Sequence, residues 1–221
     1  AVFQQLDNGI QIHWQKRDGE RLNADEIICE ITGPAQHILT GERTALNFLQ
    51  TLSATASLTR RYADELAGLP VALLDTRKTL PGFRMAQKYA VRCGGGVNHR
   101  FGLFDAILIK ENHIQAAGSI QAAVKQARSL HPGISVEVEV ENLKELRQAL
   151  DAQADIILLD NFSLDALQKA VTLNQGQTKL EASGGITLDN IRQIATTGVD
   201  RISVGALTKD IKALDLSLRF C

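Results

Sequence analysis

The sequence predicts an α/β protein built on a parallel barrel of βα units, and three observations carry that expectation. Beyond Pro70, short apolar runs alternate with amphipathic helical stretches. The last four runs recur about every 22 residues, the pitch of a βα unit. Chargeable residues and glycines fall at the carboxyl end of run after run. A barrel gathers all of those ends on one face, whereas an open sheet spreads them along an edge.

Composition sets the outer bounds. A length of 221 residues suits one large domain, or one domain with a smaller appendage. Acidic residues number 25 and basic residues 24, so the net charge of −1 argues against a nucleic-acid or polybasic membrane surface. No apolar run is long enough to cross a bilayer, and no basic segment leads into an apolar one. At 44% hydrophobic and 22% charged, the chain can build a core. Cys29, Cys93 and Cys221 are odd in number and form no CxxC pair. Neither a disulfide framework nor a zinc site is expected, and a reducing, cytoplasmic setting is favoured.

From residue 1 to about 35 the chain alternates and turns, opening directly on strand-like sequence. Ile10, Ile12 and Trp14 read as one strand, Asp18-Gly19 as a turn and residues 26–31 as a second strand, closed by Gly33-Pro34. A long helix over about 41–67 follows, with Leu46, Leu49, Leu52, Leu58 and Leu66 near helical spacing and Gly68 with Pro70 ending it. Strands are then expected at 71–74, 106–109, 135–140, 156–159, 179–182 and 201–204. Helices are expected at 83–92, 120–130, 143–152, 164–172 and 188–196. Repetition of strand, helix and strand makes neighbouring strands parallel.

Residues 136–141 alternate Val and Glu, so one face is apolar and the other acidic. An edge strand with a solvated acidic face reads the same way. Inside a barrel both faces are covered, and the carboxylates, Glu139 above all, then need a cation or a metal. Asp160 ends the next strand. Alone it would serve as a helix cap; beside Glu139 it makes a pair of hard oxygen donors suited to a Mg²⁺ that keeps most of its waters.

The cations are Arg77 and Lys78 at one strand end, His99 and Arg100 after Gly94-Gly95-Gly96, and Lys110 at another strand end. Taken singly, each reads as a solvated surface charge. Gathered at one mouth they suit a substrate with several negative charges, Arg forking onto carboxylates and Lys acting as a point charge for phosphate. Ser183-Gly184-Gly185 and Ser203-Val204-Gly205-Ala206 follow two successive late strands. Glycine lets backbone N–H groups approach a phosphate, and a following helix N-terminus adds positive charge, although glycine in either place also simply turns a loop. The triple glycine reads either as a flexible turn or as a loop that closes over ligand. His13, His37 and His131 receive no role, and Cys93 reads as a buried thiol.

Leu74-Asp75-Thr76-Arg77-Lys78-Thr79 with Pro81-Gly82, then Gly94-Gly95-Gly96 running to Asn98-His99-Arg100, closely resembles the quinolinate phosphoribosyltransferases, the carboxylating nicotinate-nucleotide pyrophosphorylases. So do Leu108-Ile109-Lys110-Glu111-Asn112-His113, residues 136–142, Leu159-Asp160-Asn161 and Ile202-Ser203-Val204-Gly205-Ala206-Leu207-Thr208. The likeness runs from about Gly41 to the C-terminus, with the motifs in order.

The resemblance implies that quinolinate and phosphoribosyl pyrophosphate give nicotinate mononucleotide, pyrophosphate and CO₂, with Mg²⁺, in de novo NAD synthesis. It implies an incomplete (β/α) barrel joined to a partial N-terminal α/β sandwich. Residues 1–45 and about 212–221 would form the sandwich, 46–66 a connecting helix and 67–211 the phosphate-binding barrel. It further implies a homodimer, with higher assembly left open, in which an Arg from one subunit completes the site of the other. The matching residue is Arg43, which by itself reads as an exposed charge at a helix start. Family members carry a further stretch before the position of Ala1, so this chain is expected to be a piece with open sandwich edges and exposed apolar surface.

On the same resemblance, the partner subunit's Arg43 with Arg77, His99 and Arg100 would hold the quinolinate carboxylates. Lys78 and Lys110 would contact the phosphoribosyl pyrophosphate or a nearby carboxylate. Glu139 and Asp160 would bind Mg²⁺ or the ribose hydroxyls, and Ser183, Gly184, Gly185 and Gly205 the 5′-phosphate. Lys110, Glu139 and Asp160 would carry the catalysis. Three other readings stand beside it: a phosphoribosyltransferase for another pyridine or nucleobase, an aldolase-type barrel with Lys110 as a Schiff-base amine, and a sugar-phosphate or nucleotide sensor.

Overall fold

The structure, a computed structural model, describes residues 1–220. Cys221, at the end of the stretch expected to rejoin the sandwich, lies outside them. The chain opens on a short helix, α1 (Val2–Leu6), and not on the strand that was expected. Phe3 and Leu6, three residues apart, both seat over Gly41, a contact that helical spacing allows and a strand would not. β1 (Gln11–Trp14) and β2 (Cys29–Thr32) then pair antiparallel, with Ile12 opposite Ile31.

The long helix α2 (Ala35–Glu65) starts six residues earlier than expected, with Pro34 as its N-cap residue. The expected start fell on Gly41, and glycine is a poor helix former. Ile38 and Leu46, buried on either side of it, supply the packing that overrides that preference. Phe3, Ile10 and Ile38 form a small core with Ile12, Ile31, Ala45 and Leu218 packed against it. The C-terminal segment is also tied to α2, since Gln50 Nε2 donates to the Leu216 carbonyl at 3.1 Å and Leu214 N to the Gln50 carbonyl at 3.3 Å.

The rest is a run of βα units. In chain order come β3 (Ala72–Leu74), α3 (Arg84–Cys93), β4 (Ile107–Ile109), α4 (Glu111–Ala117), α5 (Ile120–Leu130), β5 (Val136–Val140) and α6 (Leu143–Asp151). β6 (Ile156–Asp160), α7 (Leu164–Asn174), β7 (Lys179–Ser183), α8 (Ile191–Ala195), β8 (Arg201–Ser203) and α9 (Ala206–Lys209) follow. All six expected strands form, and each joins one parallel sheet. Strand order is β3-β8-β7-β6-β5-β4, so β3 and β4 are edges and the barrel is incomplete. Val97 alone bridges to Leu74 on the free edge of β3. Two short helices, α4 and α9, were not anticipated; seven and four residues are too few for a periodic signal.

Side chains on the two faces of this sheet differ in kind, as a strand period of two demands. One face is apolar: Leu73, Val136, Val138, Val140, Ile157, Leu159, Leu180, Ala182 and Ile202 pack in one core with Leu146, Leu167 and Ala170 of the covering helices. Burying each Val, Leu or Ile among them contributes about 1.5–3 kcal/mol. The alternate residues carry polar groups: Glu137 and Glu139 on β5, Asp160 on β6, Glu181 and Ser183 on β7, and Arg201 and Ser203 on β8. Among the described residues, no helix is long and apolar enough to cross a membrane.

Candidate active site

Register places the polar residues of neighbouring strands side by side. Glu139 lies opposite Leu158, Asp160 opposite Ser183, and Glu181 opposite Arg201. Lys110, the residue after β4, reaches across to Glu139 in a close ion pair. Glu139 is half-buried, as expected, and this cation compensates it. With its ammonium engaged by a carboxylate, Lys110 is a poor Schiff-base nucleophile, which removes the support for the aldolase reading.

Arg77, Arg100 and Lys110 line one cleft of about 290 Å³ together with Leu103, Leu108 and His113. Burial, and after it the neighbouring Arg77 charge, lower the Arg100 pKa from its ordinary value. Among the described residues neither guanidinium has a carboxylate within salt-bridge distance. Two uncompensated like charges beside one cleft call for an anion with more than one carboxylate or phosphate group. Arg84 braces both walls, donating to the carbonyls of Phe101 at 3.1 Å and Arg77 at 3.4 Å.

His99 faces the barrel interior. Its Nε2 stands 3.1 Å from Glu137 and 3.4 Å from Glu181, and Arg201 Nε lies 3.0 Å from the other Glu181 oxygen. Burial opposes a charge on the ring, but hydrogen bonds to Glu137 and Glu181 outweigh it and push the pKa up to about 9 from 6.5. A second ring proton displaces the Arg100 amide, which donates to Nδ1 at 2.8 Å. That bond is worth about 1 kcal/mol, and a pKa rise of this size about 3 kcal/mol. The charged ring therefore wins at neutral pH. Ligating atoms of His99, Glu137 and Glu181 lie within 4.8 Å of one another, yet a protonated Nε2 has no lone pair to give an ion.

Because the folded-state pKa of His99 lies above the unfolded one, its stabilisation is complete below about pH 6.5 and disappears as pH rises through 9. Urea unfolding between those limits should show a loss of about 3 kcal/mol that His99→Gln no longer shows. An equal loss in the variant would contradict the pairing.

At the other side of the mouth, Gly205 meets Lys78. A Cβ on Gly205 would lie 3.3 Å from Lys78 Cδ, so the lysine stem crosses the glycine backbone. Thr208 Oγ1 donates to the Lys78 carbonyl at 2.8 Å and Gln87 Nε2 to the Thr208 carbonyl at 2.8 Å, which pins the loop after β3 to the loop after β8. Gly184 and Gly185 have φ values of +91° and +60°, and the Gly184 backbone lies against the Asn161 side chain, leaving no room for a Cβ. Asn161 Nδ2 donates to Asp160 at 2.7 Å, so the Asp160 end of β6 and the glycine turn of β7 form one unit. Helices α8 and α9, which follow the two glycine motifs, have only five and four residues. The expected contribution of helix dipoles there shrinks accordingly, leaving backbone N–H groups and Lys78.

Two expectations are corrected. The triple glycine is no closing loop: a Cβ at Gly94 would lie 2.6 Å from Thr59 Cβ, and one at Gly96 2.8 Å from Val91 Cγ1. Gly94 and Gly96 let the chain cross α2 closely, and Gly95 supplies a φ of +92°. Cys93 is half-exposed and not buried. Arg43 stands exposed on α2 and is not among the residues lining the cleft of its own chain.

Glu137, Glu181, Arg201, Lys88 and Arg84 are site residues that sequence reasoning left out. Glu137 shares the acidic face with Glu139, and Glu181 is a charge between Leu180 and Ala182 in β7; both signals were legible. Lys88 and Arg84 look like solvated helix residues, and nothing in their spacing marks them. A second, larger groove of about 710 Å³ lies at the opposite, amino ends of the strands, beside Asp155, Lys179 and Asp200. Its aspartates accept from Val136 N at 2.7 Å and Leu180 N at 2.9 Å, so they serve to start strands.

Comparison with known proteins identifies the family. The family model described as quinolinate phosphoribosyl transferase, C-terminal domain, matches residues 55–219, and the N-terminal domain of the same family matches residues 1–53. The probable carboxylating nicotinate-nucleotide pyrophosphorylase of Bacillus subtilis is 46% identical over 217 residues, covering 98% of this chain and 75% of the relative. The structure of nicotinate-nucleotide pyrophosphorylase from Francisella tularensis superposes with a TM-score of 0.96 at 56% identity, over 98% of this chain and 77% of that one. NadC from Streptococcus pyogenes gives a TM-score of 0.95 at 44% identity, covering 99% of this chain and 78% of the other.

Proposed function

Since the chain belongs to the quinolinate phosphoribosyltransferase family, we infer that it transfers the phosphoribosyl group of phosphoribosyl pyrophosphate to quinolinate. The products are nicotinate mononucleotide, pyrophosphate and CO₂, a step of NAD biosynthesis. The observation that carries the reading is the pair of uncompensated guanidiniums, Arg77 and Arg100, with Lys110 at one cleft. A pyridine with two adjacent carboxylates supplies the charge they lack.

We assign the Arg77–Arg100–Lys110 corner, with His99 behind it, to the quinolinate carboxylates. Lys78 and the backbone of Ser183, Gly184, Gly185 and Gly205 would receive the 5′-phosphate. Glu139 and Asp160 provide hard oxygen donors at adjacent strand mouths, which fits Mg²⁺ chemically. When bound there, the ion would neutralise charge on the departing pyrophosphate. The remaining work falls to the chain itself. Glu139 and Asp160 would stabilise the positive charge that builds on the ribose ring as its C1–O bond loosens. The arginines hold the ring nitrogen of quinolinate towards C1, so that attack is intramolecular in effect. The resulting pyridinium withdraws the electron pair of the adjacent carbon–carboxylate bond, CO₂ departs, and the carbanion left behind takes up a proton.

We further propose a homodimer in which the partner subunit's Arg43 completes the corner. Exposure of Arg43, its place outside its own cleft and the exposed Leu39 one helical turn before it support this. Free Cys29 and Cys93 support a reducing, cytoplasmic setting.

The reading is tested by mixing the full-length protein with quinolinate, phosphoribosyl pyrophosphate and Mg²⁺. Equal amounts of CO₂ and nicotinate mononucleotide are expected, and CO₂ release without the ribosyl donor would contradict it. Gly184→Ala should raise the KM for phosphoribosyl pyrophosphate at least about tenfold, because a Cβ at positive φ costs about 1–3 kcal/mol and displaces Asn161. An unchanged KM would remove the phosphate role from that turn.

A further inference from the structure

We infer that the buried Asp75–Lys88 pair is a positioning device for the quinolinate corner, gripping the backbone of His99 so that the Arg100 guanidinium stands where a carboxylate can reach it. The inference rests on the assignment of that corner made above. Asp75 and Lys88 are both fully buried, and Lys88 is the largest side chain with no exposure. They form a close ion pair. Their remaining bonds converge on one short segment. Asp75 accepts from the His99 N–H at 2.9 Å and from Asn98 Nδ2 at 2.6 Å, while Lys88 Nζ donates to the His99 carbonyl at 2.8 Å. Asn98 Nδ2 donates in turn to the Lys88 carbonyl at 2.8 Å, and the Lys88 ammonium sits 5.1 Å from the centre of the Phe101 ring.

Both backbone polar groups of His99 are therefore held by charged side chains from β3 and α3, and the next residue is Arg100. Segment 97–101 belongs to no helix or strand and has only the single bridge of Val97 to the sheet. Arg84 also holds the Phe101 carbonyl and the His99 ring meets Glu137 and Glu181, while the pair supplies the bonds to the His99 backbone itself. Burial pushes the Asp75 carboxyl up and the Lys88 ammonium down, so the pair sits there against a desolvation cost that an apolar pair would avoid. Nothing in the pair touches the cleft itself. Its bonds serve placement, and placement errors of about an ångström suffice to lower an enzyme's rate a hundredfold.

Calorimetric titration of the full-length protein with quinolinate, and separately with phosphoribosyl pyrophosphate, tests this. Asp75→Asn/Lys88→Met removes both charges and leaves no lone ion in the interior. The expected result is a folded protein with a single cooperative thermal transition, quinolinate affinity down about tenfold to a hundredfold and affinity for the ribosyl donor within about twofold of wild type. Equal weakening of both ligands, or unaltered quinolinate affinity, would overturn the positioning role. Should that variant fail to fold, Asn98→Ala, which removes an uncharged anchor of the same clamp, carries the test under the same criteria. Arg100→Ala separates the two levels. Loss of quinolinate binding there with normal binding in the clamp variants refutes the positioning role alone, whereas normal binding in Arg100→Ala refutes the corner assignment beneath it.

Discussion

Arg100→Ala should lower kcat/KM for quinolinate by about three-hundredfold while the circular dichroism spectrum stays that of the wild type. Arg100 is half-buried beside Arg77, with its guanidinium also donating to the Ala106 carbonyl at 3.1 Å. A carboxylate that has entered this cleft and lost its cation is left unpaired, and that loss costs about 2–5 kcal/mol. At about 1.4 kcal/mol per tenfold the middle of this range is about three-hundredfold. The fold should tolerate the change because no hydrophobic core residue depends on the guanidinium. Steady-state kinetics with quinolinate varied at saturating donor would decide it. A kcat/KM within a few-fold of wild type would mean that Arg100 does not hold substrate.

The second large effect concerns Arg43. Alone, Arg43→Ala and Arg100→Ala should each be nearly inactive. Mixed in equal amounts and allowed to exchange subunits, they should recover about one quarter of wild-type sites. Half of the dimers are then mixed. Each of these holds one site with an intact barrel and an intact arginine from its neighbour. Activity measured after denaturation and joint refolding is the readout. No recovery would show that Arg43 acts within its own subunit or not at all, and the shared-site reading would fall.

Much of the fold was legible because the strands of a covered parallel sheet are short apolar runs and their spacing is regular. Val136, Val138 and Val140 announced both the strand and the face it turns to the helices, and the structure buries all three completely. Strand ends were legible for the same reason, so Arg77, Lys78, Lys110, Glu139, Asp160, Ser183 and Gly205 could be placed at one mouth. What escaped has physical causes. Helix α1 is held by Phe3 and Leu6 against α2, a tertiary contact without a local signal. Lys88 is a lysine in a helix whose neighbours Gln87, Ala90 and Val91 are buried, and only the fold shows that Asp75 waits beneath it. Glycines 94–96 suggested freedom in the sequence, whereas in space Gly94 and Gly96 are where two segments approach too closely for a side chain.

Most directly at stake is whether the cations of the barrel mouth hold the pyridine dicarboxylate. A crystal structure of the protein soaked with quinolinate would show. Both carboxylates should lie within hydrogen-bonding reach of Arg77 and Arg100, with the ring nitrogen turned towards Glu139 and Asp160. Quinolinate seated in the groove beside Asp155, Lys179 and Asp200, or at the mouth without touching either guanidinium, would contradict it.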